Sequence, residues 1–224
     1  MKRTFVRNKV SISSVDQLNK LAKINILTPV DEVVISIPGC SIDFDKIPSS
    51  VYVMKFNYNI KNLPHEIPSD VKMVYFYEFA HLLEELPTGV EHIQIYKGFN
   101  HPVDKLGNHL KSIDFGLDFN QSVDDLPSSL EKVVFYQSFT HSINNLPSSV
   151  NFIHIYNSKY DFKSIKSFPK SIILLELELD PDSNHDQDYC FNSIFDLACK
   201  NYTIRIEENY NINKGMCLKN IYFF

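Results

Sequence analysis

Apolar and polar positions recur along this chain with a spacing of about 20 residues, and every recurrence has the same internal order. An apolar residue is followed by two unrestricted positions, a second apolar residue, one unrestricted position and a third apolar residue. The sets are Val51, Met54, Phe56; Val71, Val74, Phe76; Val90, Ile93, Ile95; Leu110, Ile113, Phe115; Leu130, Val133, Phe135; and Val150, Ile153, Ile155. The last two members of each set alternate with other residues, which is the period of a strand with one buried face. The longer segments FNHPVDKLGNHLKSIDFGLD, FNQSVDDLPSSLEKVVFYQS and FTHSINNLPSSVNFIHIYNS begin at Phe99, Phe119 and Phe139, and FAHLLEELPTGVEHIQIYKG begins at Phe79. Looser copies surround Ile47 and Ile67. PVDEVVISI from Pro29 and SFPKSIILLELEL from Ser167 extend the pattern at either end, for about eight rungs.

Each strand is preceded by Leu-Pro or its equivalent, as at Leu86-Pro87, Leu126-Pro127 and Leu146-Pro147, with Leu106-Gly107 as a variant. This supplies an anchor and a bend into the strand. The serines that follow, at positions 49, 50, 128, 129, 148 and 149, suit hydrogen bonding to turn backbone. A period this short leaves no room for a full helix on the return side. The predicted fold is therefore a β-rich solenoid of the leucine-rich-repeat kind, with one parallel sheet and extended or turn-like return segments. Phe79, Phe99, Phe119 and Phe139 are expected to stack as a buried spine.

The recurring F-N-[QH]-x-[VI]-x-x-L-P-S-S-[LV]-x-x-[VI]-x-[FI] resembles the FNIP repeat, a leucine-rich-repeat variant known chiefly from amoebae and the giant viruses that infect them. The resemblance is strongest over residues 79–158 and weaker over 40–78. The literal Phe-Asn-Ile-Pro string is absent, and the rungs are about two residues shorter than is usual in that family. Some relatives carry an N-terminal F-box that recruits ubiquitin-ligase machinery. No such pattern precedes the first rung here.

The repeat divides the chain into an N-terminal cap at 1–29, a solenoid at 30–180 and a C-terminal cap at 181–224, within a single structural domain. A stack of rungs exposes its core at both ends, so caps are expected. Ser14 to Gln17 fits a capping box, with Val15, Leu18, Leu21 and Ala22 on one face of a short helix ending near Lys23. In the second cap, Asp188 to Lys200 reads as a helix, followed by a strand at Tyr202 to Glu207 and an apolar tail at Ile221 to Phe224.

Composition narrows the functional classes. A hydrophobic fraction of 44% with 17 Phe and 12 Tyr excludes a disordered chain. The formal charge of −5 and the scattered lysines offer nothing to a phosphate backbone, so nucleic acid is not an expected partner. The basic N-terminus lacks a following apolar run, and no window has the length of a membrane span, which predicts a soluble, cytoplasmic monomer; for a viral protein this means the host cytoplasm. Cys40, Cys190, Cys199 and Cys217 read as free thiols, with a disulfide in the C-terminal cap as the alternative.

The candidate surface is the solvent side of the sheet. Tyr77, Tyr96, Tyr136 and Tyr156 occupy one column of it, broken by Gly116; beside them lie Met73, Tyr75, His92, Gln94, Lys132, Val134, Phe152 and His154. Such a concentration of aromatic residues, Met and His suits a protein-binding face, and a self-stacking ladder that stiffens the sheet explains it equally well. His81, His101, Gln121 and His141 form a second column, read as a hydrogen-bonding turn ladder rather than a metal site. Asp180 to Asp188 alternates oxygen ligands, but His185 and Phe191 stand where a calcium loop needs Gly and Glu, so it reads as a polar loop. Glu84-Glu85 and Asp124-Asp125 read as solvated turn edges. No catalytic motif, metal or cofactor is expected, and the reading is a non-enzymatic protein-interaction scaffold. The alternatives are a substrate-recognition subunit for ubiquitin ligation, on family resemblance, and a carbohydrate- or calcium-binding module.

Overall fold

The computed structural model describes residues 8–21, 29–39, 41–59, 66–83, 86–157, 159–161, 164–172, 174–179 and 203–208. They fall into two compact units, Met1–Phe99 and Asn100–Phe224. In the first unit the strands are β1 (Lys9–Ile12), β2 (Glu32–Ile35), β3 (Val53–Phe56), β4 (Met73–Glu78) and β5 (His92–Lys97), with helix α1 (Val15–Leu21) between β1 and β2 and a 3-10 turn at Phe44–Lys46. In the second they are β6 (Ser112–Asp114), β7 (Lys132–Phe135), β8 (Phe152–Ile155), β9 (Leu174–Leu179) and β10 (Thr203–Glu208). Within each unit every strand pairs in parallel with the next in chain order. Both units are therefore parallel β-solenoid with a period of about 20 and little helix, as the repeat predicts.

All eighteen apolar residues of the six strand sets are buried. Phe79, Phe99, Phe119 and Phe139 are buried as well, with ring centroids 6.1 Å apart for Phe79 and Phe99 and again for Phe119 and Phe139. The spine is doubled in the rungs whose strand set ends in phenylalanine. Phe76 lies 4.3 Å from Phe79, Phe115 3.9 Å from Phe119, and Phe135 4.0 Å from Phe139. Tyr160 continues the line 6.0 Å beyond Phe139 and donates its hydroxyl to the His141 carbonyl at 2.8 Å, which satisfies the one polar atom that a buried phenol brings with it. Burial raises its pKa to about 12.

The turn chemistry explains the Pro-Ser-Ser signature. The amides of Val51, Val71, Val90, Leu130 and Val150 each donate at 3.0 Å to the carbonyl of the proline three residues before, closing one tight turn per rung. The second serine reaches the neighbouring rung: Ser50 donates to the Val30 carbonyl, Ser129 to Leu110, Ser149 to Leu130 and Ser171 to Val150, at 2.6 to 2.9 Å. These serines tie rung to rung through carbonyls that the sheet ladder does not use.

Two features differ from the sequence reading at the N-terminal end. A strand, β1, precedes the helix, so α1 lies on the return path between two rungs instead of plugging the first one. Leu18 and Leu21 are buried as expected, but Val15 is 49% exposed. The capping box is also shifted. Ser14 Oγ accepts the Gln17 amide at 3.3 Å, while Gln17 Oε1 accepts from Ser13 at 2.7 Å. The strand was missed because Lys9-Val-Ser-Ile is too short to show alternation without its neighbour. In the C-terminal segment the expected strand is present as β10; the expected helix, the apolar tail, the acidic loop and all four cysteines lie outside the described residues.

Candidate functional site

In the first unit, β4 and β5 present Met73 beside His92 and Tyr75 beside Gln94 in register. One position further on, the Tyr77 and Tyr96 rings stack at 5.1 Å with an interplanar angle of 18°. The stack leaves Tyr77 48% and Tyr96 50% exposed, so each ring keeps a free edge towards solvent while its neighbour restrains it. Charges are arranged around these rings and not among them. Lys97 Nζ lies 5.3 Å from the Tyr77 centroid and 3.5 Å from Glu78; Lys55 Nζ lies 4.8 Å from the Tyr75 centroid and 3.1 Å from Glu32. Glu32 is buried and also pairs with Lys9 at 3.6 Å, so two cations balance the carboxylate that this strand buries.

In the second unit, Lys132 pairs in register with Phe152, its Nζ 4.6 Å from the ring, and Tyr136 stacks on Tyr156 at 5.0 Å. His154 does not take the exposed place that alternation assigns to it. It is only 4% exposed, its ring stacked on Tyr156 at 3.5 Å and edge-on to Phe152 at 6.4 Å. Val134, its register partner, is buried too. Strand alternation gives direction but not depth. Three large rings at successive outward positions of one rung shield the middle one from water, however it points.

Two residues before the break in the tyrosine column stands Asp114, which sequence reasoning passed over. Gly116 has φ of +77°, a conformation that favours glycine, and carries no side chain to continue the column. Tyr136, in the next rung, reaches back past this position and donates its hydroxyl to Asp114 Oδ2 at 3.2 Å. Asp114 Oδ1 is buried and has no hydrogen-bond partner. Burial raises the Asp114 pKa to about 6, against the pull of the Tyr136 hydroxyl, the Gly116 amide and the Lys132 charge; burial and the Asp114 charge push the Tyr136 hydroxyl upward in turn. The sequence signal was an acid two residues before the one glycine in an aromatic column. By itself that pair does not show which neighbour the acid meets.

The linkage has a definite sign. A carboxyl whose folded-state pKa lies above its unfolded value binds its proton more tightly when folded. Its contribution to stability is therefore greatest below the unfolded pKa and is lost as pH rises through about 6. Asp114→Asn is expected to stabilise the fold by on the order of 2 kcal/mol at pH 7.5 and by almost nothing at pH 3.5. Urea unfolding at the two pH values checks this, and an equal effect at both would refute it.

Beside the second column, a hydrogen-bond ladder runs from rung to rung through asparagines. Asn100 Oδ1 accepts the Asn120 amide and Asn120 Oδ1 accepts the Thr140 amide, both at 2.9 Å, one rung to the next. Gln121 joins this ladder by donating to Asn100 Oδ1, whereas the rings of His81 and His141 lie near Phe79 and Phe139. Asp124 is an exposed turn residue that accepts from Ser122 and Asn145. Among the described residues, no group of three His, Cys, Asp or Glu is placed to hold a metal ion, and no helix is long and apolar enough to cross a membrane.

Residues 119–158, the two rungs that begin at Phe119 and Phe139, match the family model described as FNIP Repeat; no F-box family is matched. No curated protein matches the chain. The matched stretch contains the features that give the repeat its signature: the spine phenylalanines, the asparagine that accepts the next rung's amide, the proline turn and the serine that bonds across rungs.

Proposed function

We propose that this chain, with FNIP repeats at residues 119–158, is a non-enzymatic scaffold that holds a protein partner against the solvent face of its parallel sheet. The stacked, half-exposed pair of Tyr77 and Tyr96 carries this reading. Large rings already held in place lose little conformational freedom when a partner covers them, and they offer both apolar faces and hydroxyls, the combination on which binding energy tends to concentrate. Met73, Tyr75, His92 and Gln94 border the pair in the first unit; Lys132, Tyr136, Phe152 and Tyr156 form the corresponding surface in the second, with the buried His154 ring stacked on Tyr156. A self-stacking ladder and a binding face are compatible, because stacking uses ring faces and leaves edges and hydroxyls free.

The test is partner capture from the native host with mass spectrometry, using Tyr77→Ser combined with Tyr96→Ser. The pair is expected to lower partner recovery at least about tenfold while costing the fold about 1 kcal/mol. Asp124→Ser, in an exposed turn, is expected to leave recovery unchanged. Equal recovery with the double tyrosine variant would remove the sheet face from the interface.

A further inference from the structure

We propose that Tyr77 and Tyr96 form a site of oxidative modification, at which a haem peroxidase with hydrogen peroxide couples the two rings through a carbon–carbon bond and staples β4 to β5. Parallel pairing sets the geometry. The two strands run in register from Met73 and His92 to Glu78 and Lys97, so Tyr77 and Tyr96 hold the same place in successive strands and leave the sheet on the same face. Their rings stack at 5.1 Å with an interplanar angle of 18°. Both are half-exposed, which opens their edges to an oxidant. Tyr52 and Tyr58 are exposed to a similar extent, but among the described residues neither has a tyrosine stacked on it. Tyr136 and Tyr156 stack at 5.0 Å, yet both are less exposed and the Tyr136 hydroxyl is engaged with Asp114. Among the described residues, exposure and a stacked phenol coincide at Tyr77 and Tyr96.

The chemistry follows from what a phenol does when it loses one electron. Each ring gives an electron to the peroxide-oxidised haem and its hydroxyl proton to solvent, which leaves a neutral radical shared between the oxygen and the ring carbons flanking the C–O carbon. The two radicals join at one such carbon from each ring. The hydrogen on each joined carbon then passes as a proton to an oxygen, and both phenols are restored. Two hydrogen atoms are lost in all, and they reduce one hydrogen peroxide to two waters. The partner ring is already in contact when the radical forms, so coupling replaces an encounter between molecules by a small rotation of held groups. Coupling turns the stacked rings edge to edge over a span little greater than the strand spacing. Rotation of the two side chains therefore suffices, and the ladder between β4 and β5 stays closed.

The experiment treats the full chain at pH 7.5 with a haem peroxidase and an equivalent amount of hydrogen peroxide, and follows dityrosine fluorescence and intact mass. Cleavage at glutamate then separates the peptide ending at Glu78 from the one beginning at His92, so a link between them is read directly. The expected product is a monomer lighter by two hydrogens in which these two peptides are joined through Tyr77 and Tyr96. Tyr77→Phe and Tyr96→Phe keep a stacked ring but leave a single phenol, and each is expected to lower the intramolecular dityrosine yield at least about tenfold. Tyr52→Phe is expected to leave it unchanged. In concentrated urea, where the rungs are no longer stacked, the preference for this pair is expected to vanish. Coupling chiefly between copies, an intramolecular link chiefly at other tyrosines, or an undiminished yield in either Tyr77→Phe or Tyr96→Phe would each overturn the proposal. The readout needs no bound protein, so it stands or falls separately from the scaffold reading.

Discussion

Phe139→Ala is expected to lower stability by about 3–5 kcal/mol, the largest effect of any single substitution considered for this chain. The ring is fully buried and has three aromatic neighbours: Phe135 at 4.0 Å, at the end of the strand just before it, Phe119 at 6.1 Å, one period earlier, and Tyr160 at 6.0 Å in the rung after. Its removal opens a cavity in a layer that cannot collapse, because each neighbour is fixed by its own stack and Tyr160 by its hydrogen bond to the His141 carbonyl. In a solenoid, stability comes from each rung and its contacts with adjacent rungs, so the loss should be local. Hydrogen exchange is expected to quicken first in the rungs spanning residues 119–160, with the first unit changing least. Phe139→Leu, which refills most of the volume, should cost less than about 1.5 kcal/mol. A loss under 1 kcal/mol for the alanine variant would show that the spine is not a packed layer.

Gly89→Ala is expected to cost about 3 kcal/mol, opposite in sign to the usual effect of the change. At an unstrained loop position, replacing glycine by alanine stabilises by about 0.4–1 kcal/mol, because the unfolded chain has less freedom to lose. Gly89 has no positive φ, so backbone conformation alone would permit alanine. Space forbids it. A Cβ at this position would collide with the Ser69 carbonyl oxygen and lie 2.8 Å from its carbon. These are backbone atoms of the previous rung and cannot swing aside as a side chain would. Relief requires β4 and β5 to separate, which strains the bonds from the Glu91 and His92 amides to the Lys72 carbonyl, both 2.9 Å. Ser129→Ala, at the equivalent place two rungs later, removes only the bond to Leu110 and should cost about 1 kcal/mol. Thermal and urea unfolding of the two variants side by side test the contrast; an alanine at 89 no worse than the one at 129 would count against the close approach.

The sequence was sufficient for features that repeat. Each strand set, the phenylalanine spine and the turn that precedes every strand were legible because each rung states the same local rule again, and packing identical rungs at one spacing satisfies all of them together. It also located the tyrosine column and the break at Gly116. Tertiary structure decided what depends on residues about 20 positions away. It buried His154 and Val134 on a face that alternation assigned to solvent, because depth is set by the bulk of neighbours in the same and adjacent rungs. It gave the inter-rung amides of Asn120 and Thr140 to Asn100 and Asn120, made Gly89 obligatory through contact with Ser69, and left one oxygen of Asp114 without a donor. Periodicity is a one-dimensional property and can be read along the chain. Exposure, close approach and unmet hydrogen bonds arise only when separate rungs are stacked, since the atoms that decide them belong to a different turn of the solenoid.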